Sequence, residues 1–214
     1  MAELTQQLLF VGTGTILTLQ LLIGGLSIGL LLGTLLSVLR YNGIASMLIT
    51  QLVSVFRGTP LLLQLSFIYY VAPTFLGVKL TVITAGIISF GLNSSAYIAE
   101  ILRSGIENLP KGQFEAAKTL QIPSFYMWKD LILPQVIKNI LPAMISEVIA
   151  LLKETALIAT IGGMDIMRRA QTLAAEQFTY FLPLCLAGCY YYGLVLLIES
   201  IGKKLEKRGS HANN

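Results

Sequence analysis

Long apolar stretches alternate with short polar ones along this chain. No Asp, Glu, Lys, Arg or His falls between Glu3 and Arg40, between Arg57 and Lys79, or between Lys79 and Glu100. About 20 apolar residues in helical form cross a hydrocarbon core, so each gap is wide enough to span one. A barrel also satisfies its backbone within lipid, but its strands alternate apolar with polar positions. Leu30-Leu31-Leu32 and Leu61-Leu62-Leu63 do not alternate. The pattern therefore predicts an all-α polytopic membrane protein, a single domain over residues 1–214 with five transmembrane helices. The spans are expected at about 8–39, 45–72, 80–102, 135–161 and 181–201. The first is longer than one crossing needs, so its start, with Gly12 and Gly14, projects beyond the core or tilts. Gly58 and Pro60 mark a local break in the second.

One polar stretch of appreciable length remains, the loop 103–134 between the third and fourth spans. It reads as two short helices. The first follows Pro110, whose fixed φ suits an opening turn, and runs to about Leu120. Ser124 is expected to cap the second, which stops where Pro134 starts the next span. Phe114, Ala117 and Lys118 share a face of the first, and Phe125, Trp128 and Lys129 a face of the second. Small residues beside aromatic knobs suit docking into a groove of another protein. They equally suit a loop lying on the headgroups with its aromatics as a belt.

Charge changes the picture by orienting it. Hydrophobic residues make up 55% of 214 and charged ones 12%, half the usual share of a soluble domain. With the N-terminus outside, Arg40, Arg103, Lys111, Lys118, Lys129, Lys138, Lys203, Lys204, Lys207 and Arg208 fall on the cytoplasmic side. Only Lys79, Arg168 and Arg169 then fall outside, a clear positive-inside bias that also makes the C-terminus cytoplasmic. The net charge of +4 thus reports topology. It does not point to nucleic acid, since the basic residues form no single face interleaved with aromatics. Met1-Ala2-Glu3 lacks the basic region of a cleaved signal peptide. Cys185 and Cys189, at i,i+4 in an apolar stretch, read as packing residues.

Covalent chemistry finds no footing. The one histidine, His211, sits in the polar tail, so Ser-His and H-E-x-x-H machinery is missing. No residues show zinc spacing, and no glycine-rich segment completes a Walker A loop. No catalytic, cofactor-binding or metal-binding residue is expected in this chain. Any ATP and Mg belong to a partner.

Charges at bilayer depth cost about 2.5–3.5 kcal/mol on insertion scales, so each should face protein, water or cargo. Glu147 and Glu154 lie seven apart on one helical face with Lys153 beside them. Asn93, Tyr97 and Glu100 form an i, i+4, i+7 stripe on the third span, and Arg57 and Gln64 are again seven apart on the second. Three such stripes can line one path for a zwitterionic solute, with Arg57 meeting a carboxylate and Glu147 or Glu154 an amine. They can equally pair with one another or cap broken helices. Ser94 lies in the same stretch, where a hydroxyl also serves to pack helices.

The loop residues Glu115-Ala116-Ala117, with Leu133-Pro134 downstream, resemble the EAA loop of permeases in bacterial ATP-binding-cassette importers. Arg57-Gly58-Thr59-Pro60-Leu61-Leu62-Leu63-Gln64 is similar to the second-span signature of the polar amino acid branch. Leu92-Asn93-Ser94-Ser95-Ala96-Tyr97-Ile98-Ala99-Glu100, with Arg103 and Gly105, is similar to its third span, and Leu152-Lys153-Glu154-Thr155-Ala156-Leu157 to the end of its fourth. The resemblance covers roughly Gly12 to Lys204. It implies a bacterial inner-membrane permease subunit that moves polar amino acids by alternating access. It further implies two cytoplasmic ATPase subunits, a second permease subunit (identical or related) and an external substrate-binding protein. Gln113, Phe114, Glu115, Ala116, Ala117, Lys118, Phe125 and Trp128 would then form the coupling helix region that sits in the ATPase. The outer segment from Gly163 to Tyr180, with Asp165, Arg168, Arg169 and Glu176, becomes the docking surface for the binding protein. Glu100, Glu147 and Glu154 outnumber Arg57 and Lys153 near the path, which leans towards basic cargo. Two positions depart from the family: Leu131 replaces an isoleucine, and Gln121 replaces a glycine. A turn there that needs φ > 0 costs a non-Gly residue about 1 kcal/mol; otherwise the turn is built differently or set by Ile122-Pro123. An ion-gradient carrier or channel for small polar solutes, and a membrane scaffold without transport, remain as rival readings.

Overall fold

A computed structural model describes the backbone of residues 2–211 and the side chains of residues 3–207 except Leu76. The side chains of Arg208 and His211 lie outside these described residues. Everything regular among them is helical. Helix α1 (Ala2–Gly12) turns at Thr13-Gly14 into α2 (Thr15–Tyr41). Helix α3 (Ser46–Gly58) ends where Thr59 and Pro60 are extended, because the residue before a proline is pushed out of the helical region. Helix α4 (Leu61–Ser66) continues through a π turn, Phe67–Val71, into α5 (Ala72–Leu76). The two arms of this second segment meet at 101°, so the break expected at Gly58 and Pro60 is present. Helix α6 (Val82–Glu107) is opened by Thr81, whose hydroxyl accepts from the Thr84 amide, a satisfied N-cap. The rest comprises α7 (Lys111–Thr119), α8 (Ser124–Tyr126), α9 (Leu133–Glu154) with a 3₁₀ extension Thr155–Ile161, α10 (Ile166–Gln177) and α11 (Phe181–His211).

Among the described residues, three helical runs are long and apolar enough to cross a membrane: Glu3–Tyr41, Val82–Glu107 and Phe181–Lys207. The bent pair makes a fourth if it counts as one span. The five-span count expected from the sequence is therefore not reached on length and apolarity. The segment that falls short is α9, whose 22 residues include Lys138, Glu147, Lys153 and Glu154. A charged residue in a spanning helix must face protein or water, which lowers the apolar signal.

The frame of the molecule is the α2–α6 pair. Gly25, Gly29 and Gly33 lie buried along one face of α2, against Phe90, Ser94 and Ile98 of α6. At Gly33 the approach is so close that a Cβ would stand 2.8 Å from the Ser95 carbonyl oxygen. Small residues let helix backbones meet this way where lipid supplies no hydrophobic drive. Around this pair Leu21, Leu65, Phe90, Leu151, Leu152 and Ile158 form the main buried cluster.

Candidate functional site

The loop helices hold one face inward and offer the other. Phe114 and Ala117 of α7 pack with Leu109, Met127, Ile132 and Val136, and the Phe114 and Trp128 rings meet edge to face at 6.2 Å. Trp128 also meets Tyr41, at the end of α2, at 4.9 Å. Gln113 is tied to Gln135 of α9. Of the residues expected to face a partner, Glu115, Ala116, Lys118 and Phe125 are exposed, whereas Phe114, Ala117 and Trp128 are drawn into the protein. Leu120, 72% exposed, and Tyr126 beside Phe125 are further large apolar side chains on the exposed face. Helical spacing grouped Lys118 with Phe114 and Ala117, and Phe125 with Trp128, and the structure divides both groups between the covered and the exposed side.

Two local expectations are corrected here. Ser124 does not cap α8: the preceding position is Pro123 and no side-chain cap bond forms. Nor does the helix stop at Pro134. It runs through a π turn, Met127–Ile132, straight into α9, and Pro134, which has no amide to donate, stands just after this widened turn. Gln121 does adopt the left-handed region, at φ +52°. Its amide donates to the Lys118 carbonyl and the Ile122 amide to that of Ala117, the paired bonds of a Schellman turn.

The polar stripes of the spans resolve into separate groups. Because α3 and α4 meet at 101°, Arg57 and Gln64 do not share a face as an unbroken helix would make them. Gln64 instead turns back on the break. Its Nε2 donates to the Phe56 carbonyl at 2.8 Å, the Thr59 carbonyl at 3.2 Å and Thr59 Oγ1 at 2.9 Å. Asn93 Nδ2 donates to the same Phe56 carbonyl at 3.2 Å and to Gln64 Oε1 at 3.3 Å. These amides satisfy backbone groups that the break leaves without helical partners.

Glu100 is the meeting point of three arginines. Arg40 of α2 reaches it at 3.2 Å, Arg57 of α3 at 4.0 Å, and Arg103 one turn along α6 by a direct ion pair. Arg103 also pairs with Glu107, and the Arg57 guanidinium lies 5.2 Å from the centre of the Tyr97 ring. An open cavity of about 340 Å³ between these helices is lined by Arg40, Thr50, Ser54, Arg57 and Glu100. Arg103 was within reach of sequence reasoning, since i,i+3 pairs meet on a helix. Arg40, sixty positions away, gave no such signal. Elsewhere, Glu147 Oε1 accepts from the buried Ser94 hydroxyl at 2.7 Å, joining α9 to α6. Glu154 and Lys153 lie two turns further along, about 10 Å by helical rise, with Glu154 half-buried and Lys153 exposed.

At the other end of the molecule, Asp165 is fully buried and so is no part of an external docking surface. Its Oδ1 accepts from the Arg168 amide at 2.9 Å, capping α10, and its Oδ2 from the Tyr191 hydroxyl at 2.9 Å. Burial pushes its carboxyl above the ordinary range despite these bonds. Arg169 lies over the Phe10 ring at 5.2 Å. Arg168, Gln171, Ala175 and Glu176 make up the exposed face of α10.

Apolar helices on a small-residue frame, polar groups gathered at a broken helix, and a polar helical loop with one free face define a membrane permease fold. Residues 25–211 match the family described as binding-protein-dependent transport system inner membrane component, and the chain belongs to that family. A Rickettsia typhi protein that carries the name of a glutamine transport system permease, GlnP, is 47% identical over 204 residues, 94% of each chain. The arginine transport system permease protein ArtQ of Bacillus subtilis is 42% identical over 94% of this chain and 93% of its own. The crystal structure of an amino acid ABC transporter with histidines superposes with a TM-score of 0.88 at 33% identity over 97% of each chain. An inward-facing MetNI methionine ABC transporter, at 19% identity and a TM-score of 0.72, shares the fold. The family is one of transport subunits, so the rival readings of a gradient-driven carrier and of a scaffold without transport fall away, and ATP hydrolysis belongs to a separate chain.

Proposed function

We propose that this chain is the membrane permease of an importer for polar amino acids, working by alternating access with a second permease copy or relative. In this reading α9 and the bent α3–α4 segment also cross the bilayer, giving five spans with the N-terminus outside and the loop 103–134 in the cytoplasm. Two ATPase subunits grip the exposed face of that loop, and a binding protein delivers cargo to the exposed face of α10. The observation that carries the reading is the two-sided loop: Glu115, Ala116, Lys118, Leu120 and Phe125 are exposed while Phe114, Ala117 and Trp128 are anchored. A large apolar side chain such as Phe125, 68% exposed, on an otherwise polar loop suits a groove in another protein.

The cargo path runs by the open cavity at Arg57, whose guanidinium is only loosely held by Glu100. Gln64, Asn93 and Ser94 serve the path by holding its walls. The relatives named for glutamine and arginine transport support neutral and basic polar amino acids as cargo. The decisive experiment is Glu115→Lys in the transporter reconstituted with its ATPase and binding protein. Uptake of radiolabelled glutamine or arginine should fall to background while ATP hydrolysis and membrane insertion persist. Normal uptake by that variant refutes the coupling assignment.

A further inference from the structure

The segment that joins the loop to α9 contains its least regular backbone, the π turn Met127–Ile132. A π turn is a weaker link than a regular helix and commonly marks a site of functional adjustment. A push on α7 delivered through this turn alone would be absorbed there. The side chains bypass it. Gln113 Nε2 donates to Gln135 Oε1 at 3.1 Å, and Gln135 Nε2 donates back to Gln113 Oε1 at 2.9 Å. This reciprocal amide pair links the first turn of α7 to the first turn of α9. Gln135 Nε2 also donates to the Leu131 carbonyl at 2.8 Å, inside the π turn itself. One side chain thus fastens the loop helix and the irregular turn to the same point of α9. A second strut runs beside it, Phe114 against Trp128 and Trp128 against Tyr41, which carries the connection to α2.

We infer that Gln135 is a positioning residue for energy coupling: with Gln113 it makes α7 and α9 one rigid lever, so that movement of the loop reaches the span without loss in the π turn. Gln135 is half-buried and lies on α9, off the exposed loop face. It acts through Gln113 and Leu131. The inference rests on the coupling role proposed above for the loop, and its test separates the two.

In the full transporter reconstituted with its ATPase and binding protein, Gln135→Leu removes both bonds to Gln113. Substrate moved per ATP hydrolysed should fall by roughly three- to tenfold, the range expected for losing one or two hydrogen bonds, with the ATPase still co-purifying. The paired change Gln113→Glu with Gln135→Arg restores a two-pronged contact and should restore the ratio, which a simple folding defect would not allow. In a background with Cys185 and Cys189 replaced by serine, Gln113→Cys with Gln135→Cys joined by a short reducible bis-thiosulfonate linker should retain uptake, because the two ends of a rigid lever do not move apart. Loss of uptake on cross-linking, with recovery on reduction, overturns the inference. So does an unchanged ratio in Gln135→Leu while Glu115→Lys uncouples, a result that leaves the loop's role standing. Normal coupling in Glu115→Lys removes the inference together with the reading beneath it.

Discussion

The α2–α6 pair and the broken α3–α4 segment both belong to the permease fold, yet they are held by different forces. Along α2, every fourth residue from Gly25 to Gly33 is a glycine, and backbone meets side chain and backbone across the interface. Along α3 only Ile49 and Val53 are buried, while Met47, Leu48 and Val55 are exposed. What holds α3 to its neighbours at the break is polar: the amides of Gln64 and Asn93 on the Phe56 and Thr59 carbonyls and the Arg57 contact to Glu100. Close packing is spread over many small contacts and has no nearby alternative arrangement. A few hydrogen bonds to loop-like carbonyls can be exchanged for others or for water at a modest net cost. The difference separates a frame from a part built to change, since elements that move are drawn from the less stable end of a structure.

Substitutions should sort accordingly. The largest effect is expected at Gly33, where leucine must displace the Ser95 carbonyl and the Ile98 side chain. Overpacking of this kind should cost about 3 kcal/mol, read as a lower thermal midpoint in detergent. Gly188→Leu, where nothing lies within 4 Å of an added Cβ, should not lower the midpoint, since replacing a glycine inside α11 gains about 0.5–1 kcal/mol of helix propensity. Equal midpoints for the two would erase the distinction between packed frame and open face. Next comes Gln64→Leu. It strips the carbonyls of Phe56 and Thr59 of their principal donor and should cost about 2 kcal/mol. Protease sensitivity should rise near residue 59 and not in α2 or α6. A uniform rise along the chain would mean that the amides hold no local hinge.

How much of this could be read beforehand follows the range of each interaction. The break in the second span was legible because Gly58 and Pro60 act on their own backbone. The consequence for Gln64 was not, since a stripe at i and i+7 presumes the straight helix that the break destroys. Asn93, Tyr97 and Glu100 lie at i, i+4 and i+7 of the unbroken α6, but what they meet depends on Arg40, Phe56 and Arg57 from other helices. In the loop, Phe114 and Ala117 turn inward while Lys118, expected on the same face, is exposed, and only the packing of Met127, Ile132 and Val136 decides which side is the inner one. The π turn left no trace at all. Its residues read as ordinary helix, and the widened turn lies immediately before Leu133-Pro134. Likewise α9 carries enough charge to fall below an apolar span, and the partners that meet this charge, such as Ser94 for Glu147, come from another helix and leave no local signal.

The smallest expected effect sharpens the comparison at the loop, where backbone strain rather than packing or polar bonds sets the shape. Gln121 sits at φ +52° with an exposed side chain, at the position that follows the C-cap of α7. The Schellman bonds from the Gln121 and Ile122 amides require that left-handed backbone whatever residue occupies it. A side chain with a Cβ raises its energy there by about 1 kcal/mol or more, and glycine does not. Glycine also gains freedom in the unfolded chain, which takes back part of the benefit. Gln121→Gly should therefore stabilise by about 0.5–1 kcal/mol, and Gln121→Val should destabilise, because β-branching makes positive φ costlier still. Gln121→Ala separates the two contributions. If it matches the parent, the glutamine side chain adds nothing and strain alone sets the order. If glycine fails to exceed both in thermal midpoint, the turn is not strained by its residue, and the departure from the family's glycine has been absorbed by Ile122 and Pro123 instead.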